Sequence, residues 1–279
     1  MITKLIIKIK FKTDTGDYLL DTHAHILWNI DDGSKNLEMS VQMLRVAAAS
    51  GTKAIFATPH VIEKAVKPSW DTIKEKTQQL QELAVNEQID IELCPGAEVQ
   101  MNWELLPELG EGGAYCLNGG SYLLVELPLA EIPAYADEFW YELELKGITP
   151  ILAHPERYPQ LSANPQLLLK WRRRGLLLQC NSGSFTGMFG KSVCENAKVL
   201  LANGLVDLLG SDGHRSEGRN TDMSKAAEVI RQLAGEEKLR RMTIENPQAV
   251  INNQKIELEK PGVLLEGKHR SFWQKLFGK

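Results

Sequence analysis

The stretch "YLLDTHAH", residues 18–25, joins a short apolar run to two histidines. An apolar run of this length is typical of a strand that is buried on both faces, as the strands of parallel sheets are. The polar residues follow at the carboxyl end of that strand. Because the carboxyl ends of parallel strands meet at one edge of a sheet, the stretch predicts both a class of fold and the position of a functional site.

The same arrangement recurs along the chain. Six further apolar runs end in polar residues that can do chemistry; they are 54–60, 91–98, 121–127, 148–158, 175–184 and 205–214. Segments with helical periodicity lie between them, at 36–50, 69–85, 133–146, 163–174, 191–203 and 221–234. This alternation predicts an α/β fold, a distorted β/α (TIM-like) barrel of about seven strands. An open doubly wound sheet is the alternative, since its strand ends also form a crevice.

The composition of the chain disfavours nucleic-acid binding and a membrane-spanning N-terminus. The chain has 279 residues and a net charge of −4, which provides no basic stripe for nucleic acid. The one dense basic run, Arg172 to Arg174, lies inside a predicted helix and is interpreted as a solvated face. The four cysteines form no C-x-x-C pair, so a reducing cytoplasm is the expected location. The N-terminal apolar run is too short for a signal peptide or a membrane-spanning helix.

No linker divides the middle of the chain. We therefore expect an N-terminal extension over 1–18, one domain over 19–255 and a C-terminal tail over 256–279. Alternating apolar and lysine residues in the extension predict an exposed strand. The tail mixes basic and apolar side chains, which favours a short helix packed on its own domain over one that touches a membrane surface.

Histidines mark the strand ends. Five of the six in the chain lie at or just after a predicted strand: His23, His25, His60, His154 and His214. One such histidine is more often structural than a ligand, but five at equivalent positions indicate a metal centre, since imidazole is the commonest metal ligand. His23 and His25 are two residues apart, so on a strand both rings point to the same side and can reach one ion.

Four carboxylates share these positions: Asp32, Glu98, Glu126 and Asp212. Glu126 ends an apolar run, where an unpaired carboxylate would be costly to bury. A metal ion would remove that cost, and a salt bridge with Arg157 is the alternative. Nine ligands are too many for one ion and suit three, if one carboxylate bridges. Nitrogen and oxygen ligands without thiolates favour Mn²⁺, Fe or Zn²⁺ over Ca²⁺ or Mg²⁺ alone.

Clustered ions with arginines nearby predict a reaction. Such ions lower the pKa of a bound water enough to supply a hydroxide nucleophile near neutral pH. Arg157 and Arg219 are placed to clamp the oxygens of a phosphate ester. The sequence therefore predicts a phosphomonoester hydrolase, with His60 or a metal-bound water as the candidate general acid.

The motifs H-x-H…D-D-G, T-P-H, G-A-E, L-V-E, A-H-P-E-R, S-G-S and S-D-x-H occur in this order. Together they resemble the polymerase-and-histidinol-phosphatase (PHP) superfamily. Within it the chain resembles the bacterial protein-tyrosine phosphatases that partner with capsule and exopolysaccharide kinases, over about residues 19–255. The resemblance implies a PHP-type barrel and a cytoplasmic, manganese-dependent enzyme that dephosphorylates the tyrosine-phosphorylated tail of such a kinase.

The resemblance also implies roles for single residues. It divides the ligands among three ions: His23, His25, Glu98 and Asp212 for the first; Glu98, as a bridge, with Glu126 and His154 for the second; Asp32, His60 and His214 for the third. Arg157 and Arg219 match the phosphate-binding arginines of the family. Asn181, Ser182 and Ser184 match a loop near the mouth of the barrel, whose role stays open. Asp31 is expected to be dispensable as a ligand.

A cysteine-dependent mechanism is disfavoured. Tyrosine phosphatases of that kind need an arginine six positions after the nucleophilic cysteine. Here Gln100, Tyr122, Thr186 and Leu200 stand at those positions. A tyrosine phosphatase with this sequence would therefore be a metal-dependent one.

Three other functions are alternatives to a tyrosine phosphatase. A small-molecule phosphatase of the histidinol-phosphate type is the nearest alternative, because it would use the same metal chemistry. A PHP exonuclease is disfavoured because no basic groove is indicated. A non-enzymatic binding module would need a vestigial ligand set, whereas the set in this sequence is complete.

Overall fold

Nine short strands, each parallel to its neighbours, organise residues 18–259, which are the residues that the structure, a computed structural model, describes. The strands are β1 (Leu19–Ala24), β2 (Thr52–Ala57), β3 (His60–Val61), β4 (Glu92–Pro95), β5 (Glu98–Gln100), β6 (Tyr122–Glu126), β7 (Thr149–Ala153), β8 (Leu177–Asn181) and β9 (Leu208–Gly210). They pair in the order β1-β2-β4 in one sheet and β3-β5-β6-β7-β8-β9 in the other. The predicted α/β class with a parallel sheet is confirmed.

The two sheets follow one another along the chain. Only two residues separate β2 from β3, and two separate β4 from β5. The backbone stays in register across both breaks, because Gly96 N donates to Ala57 O at 3.0 Å and Glu98 N donates to Pro59 O at 3.0 Å. Proline has no N–H to give to a ladder, which is a local reason for the first break. Each of the seven predicted runs thus contains a strand, and two of them contain two.

The sheet curls so that its first and last strands lie side by side. His25 N donates to Gly213 O at 2.9 Å, and Asp212 N donates to His23 O at 2.7 Å. One apolar cluster takes buried side chains from seven strands, namely Leu20, Ala54, Phe56, Cys94, Tyr122, Leu124, Ile151, Ala153, Leu177 and Leu208. A cluster shared by strands so far apart in order is the interior of a strongly curled sheet.

Helices cover the outer face, as the alternating pattern predicts. They are α1 (Leu37–Ala49), α2 (Trp70–Asn86), α3 (Ala136–Leu145), α4 (Pro159–Ala163), α5 (Pro165–Arg173), α6 (Ser182–Phe185), α7 (Lys191–Ala202), α8 (Ser224–Ala234), α9 (Glu236–Arg240) and α10 (Asn246–Ile251). Side-chain caps set two of the starts: Asn36 accepts from Met39 N, and Ser69 accepts from Thr72 N. Within the described residues no helix is both long and apolar enough to cross a bilayer.

Two features of the helices differ from the prediction. The helix expected over 163–174 is α5, which begins at Pro165 because proline cannot continue a preceding helix, and the short helix α4 that stands before it was not predicted. The sequence also gave no indication of α9, the π-helical turn Arg241–Glu245 or α10. Gly235 interrupts the periodicity there, and each piece is only five or six residues long.

The end of the described chain closes the amino ends of the strands. Val250 and Ile251 of α10 and then Ile256 join the interior cluster. Tyr122 Oη donates to Gln254 O at 2.6 Å and accepts from Ile256 N at 3.2 Å. The predicted N-terminal strand and the predicted helix of the tail lie outside the described residues.

The interpretation of the basic run as a solvated face is wrong for one of its members. Arg172 is buried, at 2% exposure, while Arg173 and Arg174 are exposed. Its guanidinium pairs with the buried carboxylate of Asp207, which also accepts from Leu178 N at 2.8 Å. The ion pair therefore fastens α5 to the strands beneath it, a role that charge pattern alone does not reveal.

Arg172→Met should lower the free energy of unfolding by about 3–5 kcal/mol, because it leaves the Asp207 carboxylate buried without its cation. Urea denaturation of both proteins at equal metal content measures the difference. Arg173→Met is the control and should change stability by less than about 0.5 kcal/mol, since Arg173 is exposed. Equal effects of the two substitutions would contradict the assignment.

Candidate metal centre

Nine side chains predicted as ligands converge at the carboxyl ends of the strands: His23, His25, Asp32, His60, Glu98, Glu126, His154, Asp212 and His214. β1, β3, β5 and β6 carry His23, His60, Glu98 and Glu126 respectively, and the other five residues lie in the loops that follow strands. The side chains differ in their exposure to solvent: Glu98 is 0% exposed, whereas Asp32 is an exposed residue. The arrangement is a cleft with a buried floor and an open rim.

Glu98 lies at the centre of the floor. Its Oε2 is 3.2 Å from His23 Nε2, 3.3 Å from His25 Nε2 and 3.1 Å from His60 Nδ1. Its other oxygen, Oε1, is 2.8 Å from His154 Nε2. One buried carboxylate thus faces four imidazole rings from three segments of the chain, the end of β1, the start of β3 and the turn after β7.

The other carboxylates extend the cluster in three directions. Asp212 Oδ1 is 3.6 Å from His23 Nε2 and 3.4 Å from His25 Nε2. Glu126 Oε1 is 3.3 Å from His60 Nδ1. At the rim, Asp32 Oδ1 lies 3.3 Å from His214 Nε2 and 3.6 Å from His60 Nε2.

Three groups of ligand atoms are close enough together to surround an ion: His23, His25 and Asp212; His60, Glu98 and Glu126; and His25, Asp32, His60 and His214. They differ at three points from the division that the family resemblance implies. Glu98 is not in the group of His23, and His25 joins the group of Asp32 as well. His60, rather than His154, groups with Glu98 and Glu126, because its Nδ1 faces those two carboxylates while its Nε2 faces Asp32. His154 reaches the remaining oxygen of Glu98.

The unsatisfied atoms of the cluster fit a cation. Among the described residues, His60 Nδ1, Glu98 Oε2 and Asp212 Oδ1 are buried and accept or donate no hydrogen bond. Buried polar atoms are almost always hydrogen-bonded, so orphans that face one another call for a missing partner. Imidazole nitrogens and carboxylate oxygens without thiolates are suited to Mn²⁺, Fe or Zn²⁺.

Two residues that the sequence did not assign to the site orient its histidines. Gln179 Oε1 lies 2.9 Å from His23 Nδ1, and Asp31 Oδ2 lies 2.8 Å from His25 Nδ1. Each contact favours a proton on Nδ1, so that Nε2, which faces the cluster, is the atom that would bind an ion. Gln179 had one signal in the sequence, as a polar residue inside an otherwise apolar strand.

Asp31 therefore has a structural role in the site, because it orients His25. Its oxygens also accept from Gly33 N and His60 N, both at 2.9 Å. Burial acts to raise the pKa of Asp31, but His25 and these N–H groups outweigh it and lower the pKa to about 2. In turn, burial acts to lower the pKa of His25, but Asp31, Asp212 and Glu98 together outweigh burial and hold that pKa well above its ordinary value.

Glu98 and Asp212 also stay ionised despite complete burial. Burial raises the pKa of each, but His23 is the strongest opposing charge, and each pKa lies well below its ordinary value. His154 and Asp212 adopt left-handed backbone conformations, with φ of 37° and 53°. Such conformations are unfavourable for residues with a side chain and are concentrated at functional sites.

The two predicted phosphate-binding arginines lie on one side of the cluster. Arg157 Nη1 donates to Asp212 Oδ2 at 3.2 Å, and Arg219 Nη2 donates to the same oxygen. Asn181 Nδ2 donates to it as well, at 2.5 Å. The alternative partner considered for Glu126, a salt bridge with Arg157, is thus not formed in the described structure, where Arg157 pairs with Asp212.

The residues that match a loop near the mouth of the barrel lie at the end of β8 and in α6, where two of them contact a buried glutamate. Ser184 Oγ and Asn181 N donate to the buried Glu156 Oε1 at 2.7 and 2.9 Å. Cys180, beside them, is buried, and burial with the neighbouring Glu156 carboxylate raises the pKa of its thiol well above the ordinary value. A thiol held neutral in this way is not a nucleophile.

Comparisons with known proteins agree with this geometry. The family described as "Capsular polysaccharide synthesis, CpsB/CapC" matches residues 19–252. The chain belongs to this family. Tyrosine-protein phosphatase YwqE of Bacillus subtilis is 33% identical over 243 residues, which cover 87% of this chain and 95% of YwqE. Tyrosine-protein phosphatase CpsB of Streptococcus pneumoniae is 28% identical over 243 residues, covering 85% of this chain and all of CpsB.

A solved structure shows the same relationship in three dimensions. It comes from work on YwqE from Bacillus subtilis and CpsB from Streptococcus pneumoniae, described as unique metal-dependent tyrosine phosphatases. It matches with a TM-score of 0.82 and 33% identity, covering 87% of this chain and 98% of that one. The resemblance to the capsule-type phosphatases is therefore confirmed.

Asp31→Asn should weaken metal binding about 10- to 100-fold without removing a binding position, because Asp31 orients His25 and the backbone of His60 but is not itself a proposed ligand. Asp32→Ala should instead lower the number of ions bound. Metal content measured after equilibrium dialysis at graded Mn²⁺ separates the two results. Asp71→Asn, an exposed residue on α2, is the control, and a loss of stoichiometry in Asp31→Asn as complete as in Asp32→Ala would contradict the division.

Proposed function

We propose that this protein is a metal-dependent phosphomonoester hydrolase that removes phosphate from tyrosine residues of a bacterial kinase involved in capsular or exopolysaccharide synthesis. The observation that carries the proposal is the cluster of five histidines and four carboxylates around Glu98, with two arginines at its side. Membership of the capsule family, and relatives named tyrosine-protein phosphatases, support the substrate class.

The residues that would hold the ions are the nine named above, with Glu98 central to the set. We propose three divalent ions, Mn²⁺ in the first place and Fe or Zn²⁺ as alternatives. Bound there, they would polarise a phosphate ester and lower the pKa of a water to give a hydroxide nucleophile. Gln179 would keep His23, and Asp31 would keep His25, in the tautomer that binds metal.

The protein's own side chains would position the substrate. Arg157 Nη1 and Arg219 Nη2 converge on one oxygen of Asp212. Their remaining N–H groups would clamp the non-bridging oxygens of a phosphate. His60 is the predicted general acid and lies at the rim, with 17% of its side chain exposed. A phenolate is a good leaving group, so it needs little help from an acid.

The remaining assignments belong to the same proposal. We infer a cytoplasmic enzyme with a distorted PHP-type β/α barrel over 19–255, an extension over 1–18 and a tail over 256–279. The partner would be the phosphorylated tail of the kinase, and any membrane contact would be peripheral and made by the tail. The acidic composition supports the expectation that nucleic acid is not a substrate.

Chelation should abolish the hydrolysis of p-nitrophenyl phosphate and of a phosphotyrosine peptide, and Mn²⁺ should restore it, because the ligand cluster has no catalytic thiol to replace the ions. Release of inorganic phosphate is the measurement, with a phosphoserine peptide and histidinol phosphate assayed beside them. Activity that survives chelation would contradict the mechanism. A preference for histidinol phosphate would favour the small-molecule alternative.

Arg157→Lys and Arg219→Lys should each lower kcat/KM for the phosphotyrosine peptide about 10- to 100-fold, since lysine keeps the charge but loses the planar pair of donors. Metal content should be unchanged. Steady-state kinetics at saturating Mn²⁺ test this, with Arg173→Lys on the exposed face of α5 as control. Wild-type kcat/KM in both cleft variants would remove the arginines from the mechanism.

A further inference from the structure

The aromatic ring of Phe189 lies against both arginines of the cleft. Arg157 Cζ is 4.6 Å and Arg219 Cζ is 5.5 Å from the centre of the ring. Both distances are within the range of a cation–π interaction. The two guanidinium groups come from distant segments of the chain, one after β7 and one after β9, so the ring is a contact that they share.

The loop that carries Phe189 is built to hold it there. Residues 186–190 follow α6 and fold back on it, with Met188 N donating to Gly183 O at 3.0 Å. Gly183 has no side chain, and a Cβ at that position would lie 3.2 Å from Phe189 Cε2 and 2.9 Å from Met188 Sδ. The absence of a side chain at residue 183 is what lets the loop approach.

Two like charges in one cleft need compensation. Arg157 and Arg219 both donate to Asp212 Oδ2, so one carboxylate oxygen is shared between two cations. Asp212 is also one of the proposed metal ligands, and an ion would compete for its charge. The face of an aromatic ring is negative in its quadrupole and attracts guanidinium groups without competing for the same oxygen.

We propose that Phe189 is a positioning residue that holds Arg157 and Arg219 together as a phosphate clamp. This inference rests on the proposed phosphatase function. The ring acts through the arginines and not on the substrate itself. It should therefore affect every phosphate ester and inorganic phosphate alike, while leaving the metal cluster intact.

Phe189→Leu tests the proposal, because leucine retains an apolar side chain but has no ring. In the manganese-loaded protein, kcat/KM for p-nitrophenyl phosphate should fall about 5- to 30-fold, and the affinity for inorganic phosphate measured by calorimetry should fall with it. Phe189→Trp should keep both close to the wild-type values. Metal content and melting temperature report whether the cluster and the fold are intact.

A double-mutant cycle makes the test specific to the arginines. In an Arg157→Met background, Phe189→Leu should cost less than it does in the wild type, because one of its two contacts is already gone. Met188→Leu is the matched control, since Met188 is the exposed neighbour in the same loop. Its kcat/KM and phosphate affinity should be those of the wild type.

The outcomes separate this inference from the function on which it rests. An inactive wild-type protein would contradict the proposed function, and phosphate binding would still report on Phe189. An active wild type together with unchanged kcat/KM and unchanged phosphate affinity in Phe189→Leu would overturn the positioning role alone. Equal losses in Phe189→Leu and Phe189→Trp, or strict additivity with Arg157→Met, would also overturn it.

Discussion

The carboxylate of Glu98 is completely buried and faces the rings of His23, His25, His60 and His154 at 2.8 to 3.3 Å. An ionised carboxylate without compensation is among the most expensive groups to bury in a protein. Its pKa nevertheless lies well below the ordinary value, because the surrounding imidazoles outweigh the effect of burial. A cluster that keeps a buried anion ionised and leaves one of its oxygens without a hydrogen bond could hold cations.

The curled parallel sheet brings the residues of that cluster together. His23 lies near the carboxyl end of β1, His60 and Glu98 follow the carboxyl ends of β2 and β4, and the loop after β9 brings Asp212 to them. A second layer then fixes the orientation of the ligands, with Gln179 behind His23 and Asp31 behind His25. Beyond these residues, the loop 186–190 after α6 holds Phe189 against the arginines that would bind phosphate.

Much of this could be predicted from the sequence, and the reason is geometric. The strands of a parallel sheet all run in the same direction, so a polar residue at the end of an apolar run is expected at the edge of the sheet where the carboxyl ends meet. That reasoning found the nine clustered side chains, including Glu126, whose partner is not Arg157 but the His60 side of the cluster. It also found six of the outer helices, namely α1, α2, α3, α5, α7 and α8, of which α5 begins two residues later than expected.

What the sequence did not reveal depends on contacts between distant segments. Asp31 was expected to be dispensable as a ligand, and only the structure shows it behind His25. Arg172 looks like its exposed neighbours until Asp207 is placed beneath it. Phe189 is an ordinary loop residue in the sequence, and its meaning comes from two arginines that lie 32 residues before it and 30 residues after it. Periodicity and motif spacing do not carry information of this kind.

The most direct test is a crystal structure of the manganese-loaded protein with anomalous scattering recorded at the manganese absorption edge. We expect three anomalous peaks within the cluster, with the carboxylate of Glu98 in contact with two of them and Asp32 in contact with another from the rim. A single peak, or peaks that leave Glu98 without a metal contact, would contradict the claim that this buried carboxylate organises a multinuclear centre.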